Sequence, residues 1–258
     1  MSDTTAYTII SRDVELLEWS YTNARDRADY DHEWLIIGWD PTAEIKKYCK
    51  DNKLRLVLYK PKPETDFKSR TAWFLHNLYA CWNLGYEKAQ TKWVARMGSD
   101  QFFSQGWLRE LHVAATLHGE RATYHTWTIE SPIAHRSRHE IHSFGTVPNE
   151  FDTLRFDQYA TTLQRHHAHD RPWPRSHCNL WYHHPVKGME QRPDGCTWLQ
   201  TKALWEVFGP LADTVIPPGI AGDVDYMDRL YDAGVEGYLL PRSVCFHLVQ
   251  GEYRTLTP

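Results

Sequence analysis

The chain has 258 residues, 24% of them charged and 41% hydrophobic, with 29 Lys and Arg against 33 Asp and Glu for a formal charge of −4. This composition excludes disorder and collagen-like repeats, and the charge offers no global attraction to nucleic acid. No apolar run approaches the roughly 18–20 residues of a membrane span. The first residues lack the charged and apolar regions of a signal peptide, and five scattered cysteines make neither a disulfide framework nor a zinc ribbon. The expectation is a cytoplasmic enzyme with reduced thiols.

Residues 7–10 are an apolar run that stops at Ser11 and Arg12, a strand. Val14, Leu17, Tyr21 and Ala24 follow at helical spacing. Residues 34–38 read as a second strand, ended by Asp40 and Pro41. Thr42 is placed to cap a helix through Asp51, with Ile45, Tyr48 and Cys49 on one face. Residues 54–59 are a third strand, followed by Pro61, Pro63 and a long helical stretch over 69–89. Residues 93–95 read as a fourth strand and 105–118 as another helix. Beyond residue 122 the pattern breaks. Residues 121–184 hold ten His, seven Arg and no Lys, and read as an elaboration on the domain. Regularity returns with a helix over 202–208, a helix over 223–233 stopped at Gly234, and short strands at 237–240 and 244–247.

Strand and helix in alternation predict an α/β domain, a mostly parallel sheet flanked by helices. One domain would span 1–258: a nucleotide-binding half over 1–118, the elaboration over 119–195 on the acceptor side, and a catalytic half over 196–258. In such sheets ligands bind at the carboxyl ends of the strands. The residues there are Ser11, Arg12, Asp40, Lys60 and the stretch 97–100. Neither of the usual glycine-rich phosphate loops occurs.

Two stretches carry the remaining signal. The first runs from Asn83, Gly85 and Ala89 through the short strand to Gly98, Ser99 and Asp100. The second holds residues 208–211, then Gly222, Asp223, Asp225, Arg229 and Gly234, then His247. Together they resemble the nucleotide-sugar-dependent glycosyltransferases of the GT-A fold, in the large inverting family 2. Members of that family often read N-x-G-x-x-x-A, a strand, D-x-D, then E-D-x-D-x-x-x-R-x-x-x-x-G and a late His. The resemblance covers nearly the whole chain except roughly 120–195.

The resemblance implies transfer of a hexosyl or pentosyl unit from a nucleotide sugar to an acceptor hydroxyl, with inversion. It implies that Asp100, with His247, holds Mn²⁺ or Mg²⁺ against the donor diphosphate, and that Asp223 is the general base. Ser11 and Arg12 would lie along the base and ribose, and Asp40 would accept a hydrogen bond from a base N–H. Lys60, Arg96 and Ser99 would contact the diphosphate. A UDP-sugar stands ahead of a GDP-sugar. The acceptor is open among a glycan, a lipid-linked sugar, a protein and a hydroxylated nucleobase. The chemistry fits. A sugar diphosphate leaves with growing negative charge that a cation steadies. An alcohol attacks well only as a base removes its proton.

Two positions depart from the family: Gly98 stands where the first Asp of D-x-D is usual, and Gly222 where Glu is usual. Each chosen residue also has a plainer reading. Asp100 could cap a helix, although Ser104 is better placed for that. His247 could simply end a strand. Asp223 and Asp225 suit the first turn of a helix, and Asp225 with Arg229 suits an i,i+4 pair. Asp40 suits a turn before proline, and Lys60 and Arg96 could be surface charges. The histidines near residues 165–184 match no common zinc spacing. Arg136, Arg138, Arg171 and Arg175 with Trp173 and Trp181 could stack on and pair with an anionic acceptor, and Trp198 and Trp205 would line the acceptor side. Two rivals remain. A nucleotidyltransferase acting on sugar phosphates would release pyrophosphate. A non-catalytic sugar-nucleotide or glycan-binding module would turn nothing over.

Overall fold

Five helices start where a side chain accepts a hydrogen bond from a backbone N–H that the helix leaves open. Asp13 serves α1 (Val14–Asp26), Thr42 serves α2 (Ala43–Asp51) and Ser69 serves α3 (Arg70–Lys88). Asp152 accepts from Arg155 N at 2.9 Å in α5 (Thr153–His166), and Thr201 serves α6 (Lys202–Phe208). The exception is α4 (Trp107–His118), which starts at Gly106 with φ 76° and no side-chain cap. Ser104 does not cap it. Its hydroxyl accepts instead from Val244 N at 3.0 Å and so ties this turn to the last strand. α7 spans Gly222–Asp232. The computed structural model describes residues 2–130, 144–145, 147–166, 171–172, 182–183, 190–191, 197–212 and 222–248.

The apolar runs become the strands of one sheet: β1 (Thr4–Ile10), β2 (Glu33–Trp39), β3 (Arg55–Tyr59), β4 (Trp93–Arg96), β5 (Gln101–Phe103), β6 (Ala122–Glu130), β10 (Trp198–Thr201) and β11 (Glu236–His247). Its order is β3-β2-β1-β4-β10-β6-β11-β5, with β7 (Arg171–Pro172) also paired to β11. β8 (Tyr182–His183) and β9 (Glu190–Gln191) form a separate two-stranded ribbon. β3, β2, β1 and β4 are parallel, as the alternation predicts. The other half is not. β10 runs antiparallel to both β4 and β6, and β5 and β7 run antiparallel to β11. The sheet is therefore mixed, a correction to the mostly parallel expectation. The physical reason is β10, which lies against β4 for four residues and turns directly into α6 at Thr201.

Two further expectations change. The two short strands at 237–240 and 244–247 are the halves of β11, whose register against β6 shifts between Leu240 and Val244. β6 belongs to this sheet too, although it falls inside the stretch read as an elaboration. α5, also from that stretch, packs on β11. It is held there by Phe156 against Phe102 and Phe144, and by the fork from Arg27 to Asp157 at 2.6 and 3.0 Å. Among the described residues, no helix is long and apolar enough to cross a membrane.

The core lies on both faces of the sheet. Along β4, Val94 faces the cluster that holds Tyr7, Tyr86, Trp198 and Tyr226, whereas Ala95 packs with Trp107, Leu108 and Leu111 of α4. The period of two places Arg96 on the side of Val94, under α3 and α7.

Candidate active site

β1 is flanked by parallel strands on both sides, and the crossover reverses direction between β1 and β4. Such a reversal opens a crevice beyond the carboxyl ends of these strands. Ser11 and Arg12 follow β1 there, Asp40 follows β2, and residues 97–100 follow β4. The first two turns are stitched together, with Thr42 N donating to Ser11 O at 3.1 Å and Asp40 N to Tyr59 O at 3.0 Å. Asp40 is exposed and has φ 44°. Asp enters that region readily, and Asp29 and Lys53 share it. Lys60 is exposed at the end of β3, the edge strand, two strands from β1.

After β4 the chain makes a tight turn organised by Gln101, a residue not singled out from sequence. Gln101 is fully buried. Its Oε1 accepts from Gly98 N at 2.7 Å and from Thr197 Oγ1 at 2.5 Å. The turn leaves Ser99 half-buried and Asp100 only 6% exposed. β5 then returns antiparallel to β11, and Leu248 N donates to Asp100 O at 2.9 Å. That pairing brings His247 to Asp100, with Nε2 3.1 Å from Oδ2. Two residues 147 positions apart, chosen as joint metal ligands, thus meet across the β5–β11 ladder.

A buried carboxylate oxygen and an imidazole nitrogen in contact are a donor pair for one divalent ion, and mixed O and N donors suit Mn²⁺. Among the described residues no third His, Cys, Asp or Glu joins them. Gly98, in place of the usual first acid, lies against Asp100 and Gln101: a Cβ there would be 3.1 Å from Asp100 Oδ1 and 3.2 Å from Gln101 Cδ.

Asp223 lies in the first turn of α7 and is 8% exposed. Its Oδ1 accepts from the Tyr79 hydroxyl of α3 at 2.9 Å. Burial, and then the charge of Asp223, push the Tyr79 hydroxyl far above its ordinary pKa, so it remains a donor. Tyr79 was invisible in sequence; it is one buried tyrosine among several on a helix. Gly222 abuts the chain, where a Cβ would come within 2.1 Å of Ala212 O. A Glu has no room at that position.

The motif residues around Asp223 are clamps. Asn83 Nδ2 donates to Leu211 O at 2.9 Å and its Oδ1 accepts from Leu211 N at 2.8 Å. Arg229 donates to Phe208 O, to Pro210 O at 2.7 Å and to Asp225 Oδ2 at 3.0 Å. Gly85 lets α3 close on β1, since a Cβ there would be 2.0 Å from the Tyr7 ring. Asp225 is thus a structural partner of Arg229, as its plainer reading has it.

Arg96 is not a surface charge. It is 3% exposed, with its guanidinium carbon 3.5 Å from the ring centre of Trp198 and 4.7 Å from that of Trp82. Trp198 is buried beneath it, and Trp205 stacks on Tyr86 with centroids 5.6 Å apart. The Arg96 charge opposes the rise in the Tyr79 hydroxyl's pKa. Of the residues proposed for an anionic acceptor, Arg136, Arg138, Trp173, Arg175 and Trp181 lie outside the described residues, as does the side chain of Arg171.

No protein-family model and no curated protein matches the chain. Solved structures do. GalNAc-T7, crystallised with UDP, GalNAc and Mn²⁺, aligns over 96% of this chain and 44% of its own at 10% identity and TM-score 0.56. S. aureus TarS 1-349 aligns over 95% of this chain and 60% of its own, at 10% identity and TM-score 0.57. The chain spans about half the length of the structures it matches. The likeness is one of fold, and the fold is the GT-A-like architecture that the motifs resemble.

Proposed function

We propose that the protein is a glycosyltransferase that moves a sugar from a nucleoside diphosphate to an acceptor hydroxyl with inversion, using a UDP-sugar as donor. The observation that carries this reading is the contact of Asp100 with His247 at 3.1 Å beyond the end of β4. The fold shared with a protein crystallised with UDP, GalNAc and Mn²⁺ supports it.

Ser11, Arg12 and Asp40 cradle the nucleoside at the stitched turns after β1 and β2. The Asp40 carboxylate accepts from a base N–H, and Lys60 and Ser99 lie toward the phosphates. Asp100 and His247 would hold Mn²⁺ or Mg²⁺. When bound, that ion neutralises charge growing on the departing diphosphate. Asp223 takes the proton from the acceptor hydroxyl as the oxygen attacks the anomeric carbon. Tyr79 holds Oδ1 of Asp223 and orients the carboxylate.

The test is turnover. Purified protein with UDP-sugars, Mn²⁺ and candidate acceptors should release UDP. Asp223→Asn should lose at least roughly 10²-fold in rate while binding donor normally. Release of pyrophosphate would make the protein a nucleotidyltransferase, and donor binding without turnover on any acceptor a binding module. Full activity in Asp223→Asn would remove the proposed base.

A further inference from the structure

Arg96 is a buried cation without a counter-ion. Among the described residues it makes no ion pair and no hydrogen bond, and Nη1 is sealed from solvent with no partner. A buried charge in that state is costly. The two tryptophans offset part of the cost through their ring faces. They cannot satisfy the N–H groups, which lie in the guanidinium plane.

The surrounding hydroxyls do not serve either. Tyr7 donates to Trp82 O at 2.9 Å, Tyr79 donates to Asp223, Tyr86 accepts from Trp198 Nε1 at 2.6 Å, and Tyr226 exchanges with Gln200. A hydroxyl that donates can still accept, but none of the four accepts from Arg96, although its charge is felt at all four. A guanidinium clamped by aromatic faces, with no hydrogen bond from Nε, Nη1 or Nη2 among the described residues, is preorganised for a planar or tetrahedral anion. Its position decides whose anion. It shares the α3–α7 face with Tyr79 and Asp223, whereas the Asp100–His247 pair is held by the β5–β11 ladder.

We propose that the acceptor is acidic, carrying a carboxylate or phosphate that Arg96 binds while the reacting hydroxyl faces Asp223. This rests on the assignment of Asp223 as the base.

The test uses the full chain with saturating UDP and Mn²⁺, titrated by calorimetry with glucuronate, glucose 6-phosphate and glucose. One or both charged sugars should bind and glucose should not; which one binds separates carboxylate from phosphate. Arg96→Gln should weaken that binding roughly ten-fold or more, a larger loss than any it causes in UDP affinity, since the proposal moves Arg96 from the diphosphate contacts to the acceptor. Arg96→Lys, which keeps the charge and loses the fork, should fall between them and guards against a folding defect in the first variant. Equal binding of glucose, or no binding of either acid to the UDP-loaded protein, overturns the proposal. So does a loss of UDP affinity in Arg96→Lys, which would return the side chain to the donor diphosphate. Failure of the wild type to bind UDP would instead overturn the donor reading.

Discussion

The Tyr79 hydroxyl donates to Asp223 at 2.9 Å, and that bond has consequences. Tyr79→Phe leaves a buried carboxylate oxygen without its donor, which costs about 1–3 kcal/mol. Chemical denaturation should read that loss, with the fold retained. The two glycines that replace family acids differ in kind. At Gly222 the obstacle is backbone, Ala212 O at 2.1 Å, whereas at Gly98 it is the ends of two side chains at 3.1 Å and beyond. Side-chain ends can move and a packed carbonyl cannot. Gly98→Asp should therefore fold with a wild-type circular dichroism spectrum. Gly222→Glu, which restores the family residue, should lose several degrees or more of melting temperature. Asp100, His247 and Asp223 could be picked out as candidates because their motif order is unusual. Tyr79, Gln101 and the burial of Arg96 were not, because a tyrosine, a glutamine or an arginine in a half-polar stretch has no periodic signature.

At the scale of elements, the segment 208–211 is seated by Asn83 from α3 and Arg229 from α7, and Asn83 reaches it with both ends of its amide. Asn83→Ala removes three hydrogen bonds, two with Leu211 and one from Trp205 Nε1 at 3.3 Å, and about 2–3 kcal/mol of stability should go with them. Proteolysis should then open the chain near residue 211 first; cleavage elsewhere at an unchanged rate would deny the clamp. The parallel half of the sheet was readable because each strand is a short apolar run and each helix carries its cap. β5 was missed because three residues do not establish a period. β6, with the sequence Ala-Thr-Tyr-His-Thr-Trp-Thr-Ile-Glu, was hidden by its polar content. Its histidine and threonines are satisfied inside the sheet, His125 by Thr123 at 2.9 Å and Thr126 by Thr197 O at 3.2 Å. β10 was missed for another reason: a four-residue strand that turns at once into a helix reads as that helix's first turn.

For the whole molecule, buried histidines set the response to acid. His112 is 7% exposed, stacks on Tyr30 at 3.8 Å and bonds Thr4 Oγ1 at 2.9 Å. Burial lowers its pKa from 6.5 to about 4. Burial, and then the Arg96 charge, lower that of His125 as well. Below pH 6.5 the unfolded chain takes up protons that the folded chain refuses, so stability is full above 6.5 and falls as pH drops. The His112 share of the loss is complete near pH 4 and amounts to about 3 kcal/mol. Urea unfolding midpoints between pH 7 and 4 should show this slope, and His112→Gln should flatten it. Over the same scale, the account stands on Asp100 and Asp223 serving one crevice although they come from distant parts of the chain. A crystal soaked with UDP and Mn²⁺ tests this directly. Anomalous density for the ion should lie between Asp100, His247 and the diphosphate, with the Asp223 carboxylate facing the same bound nucleotide. An ion bound elsewhere, or Asp223 turned to the opposite face of the sheet from the UDP, would contradict it.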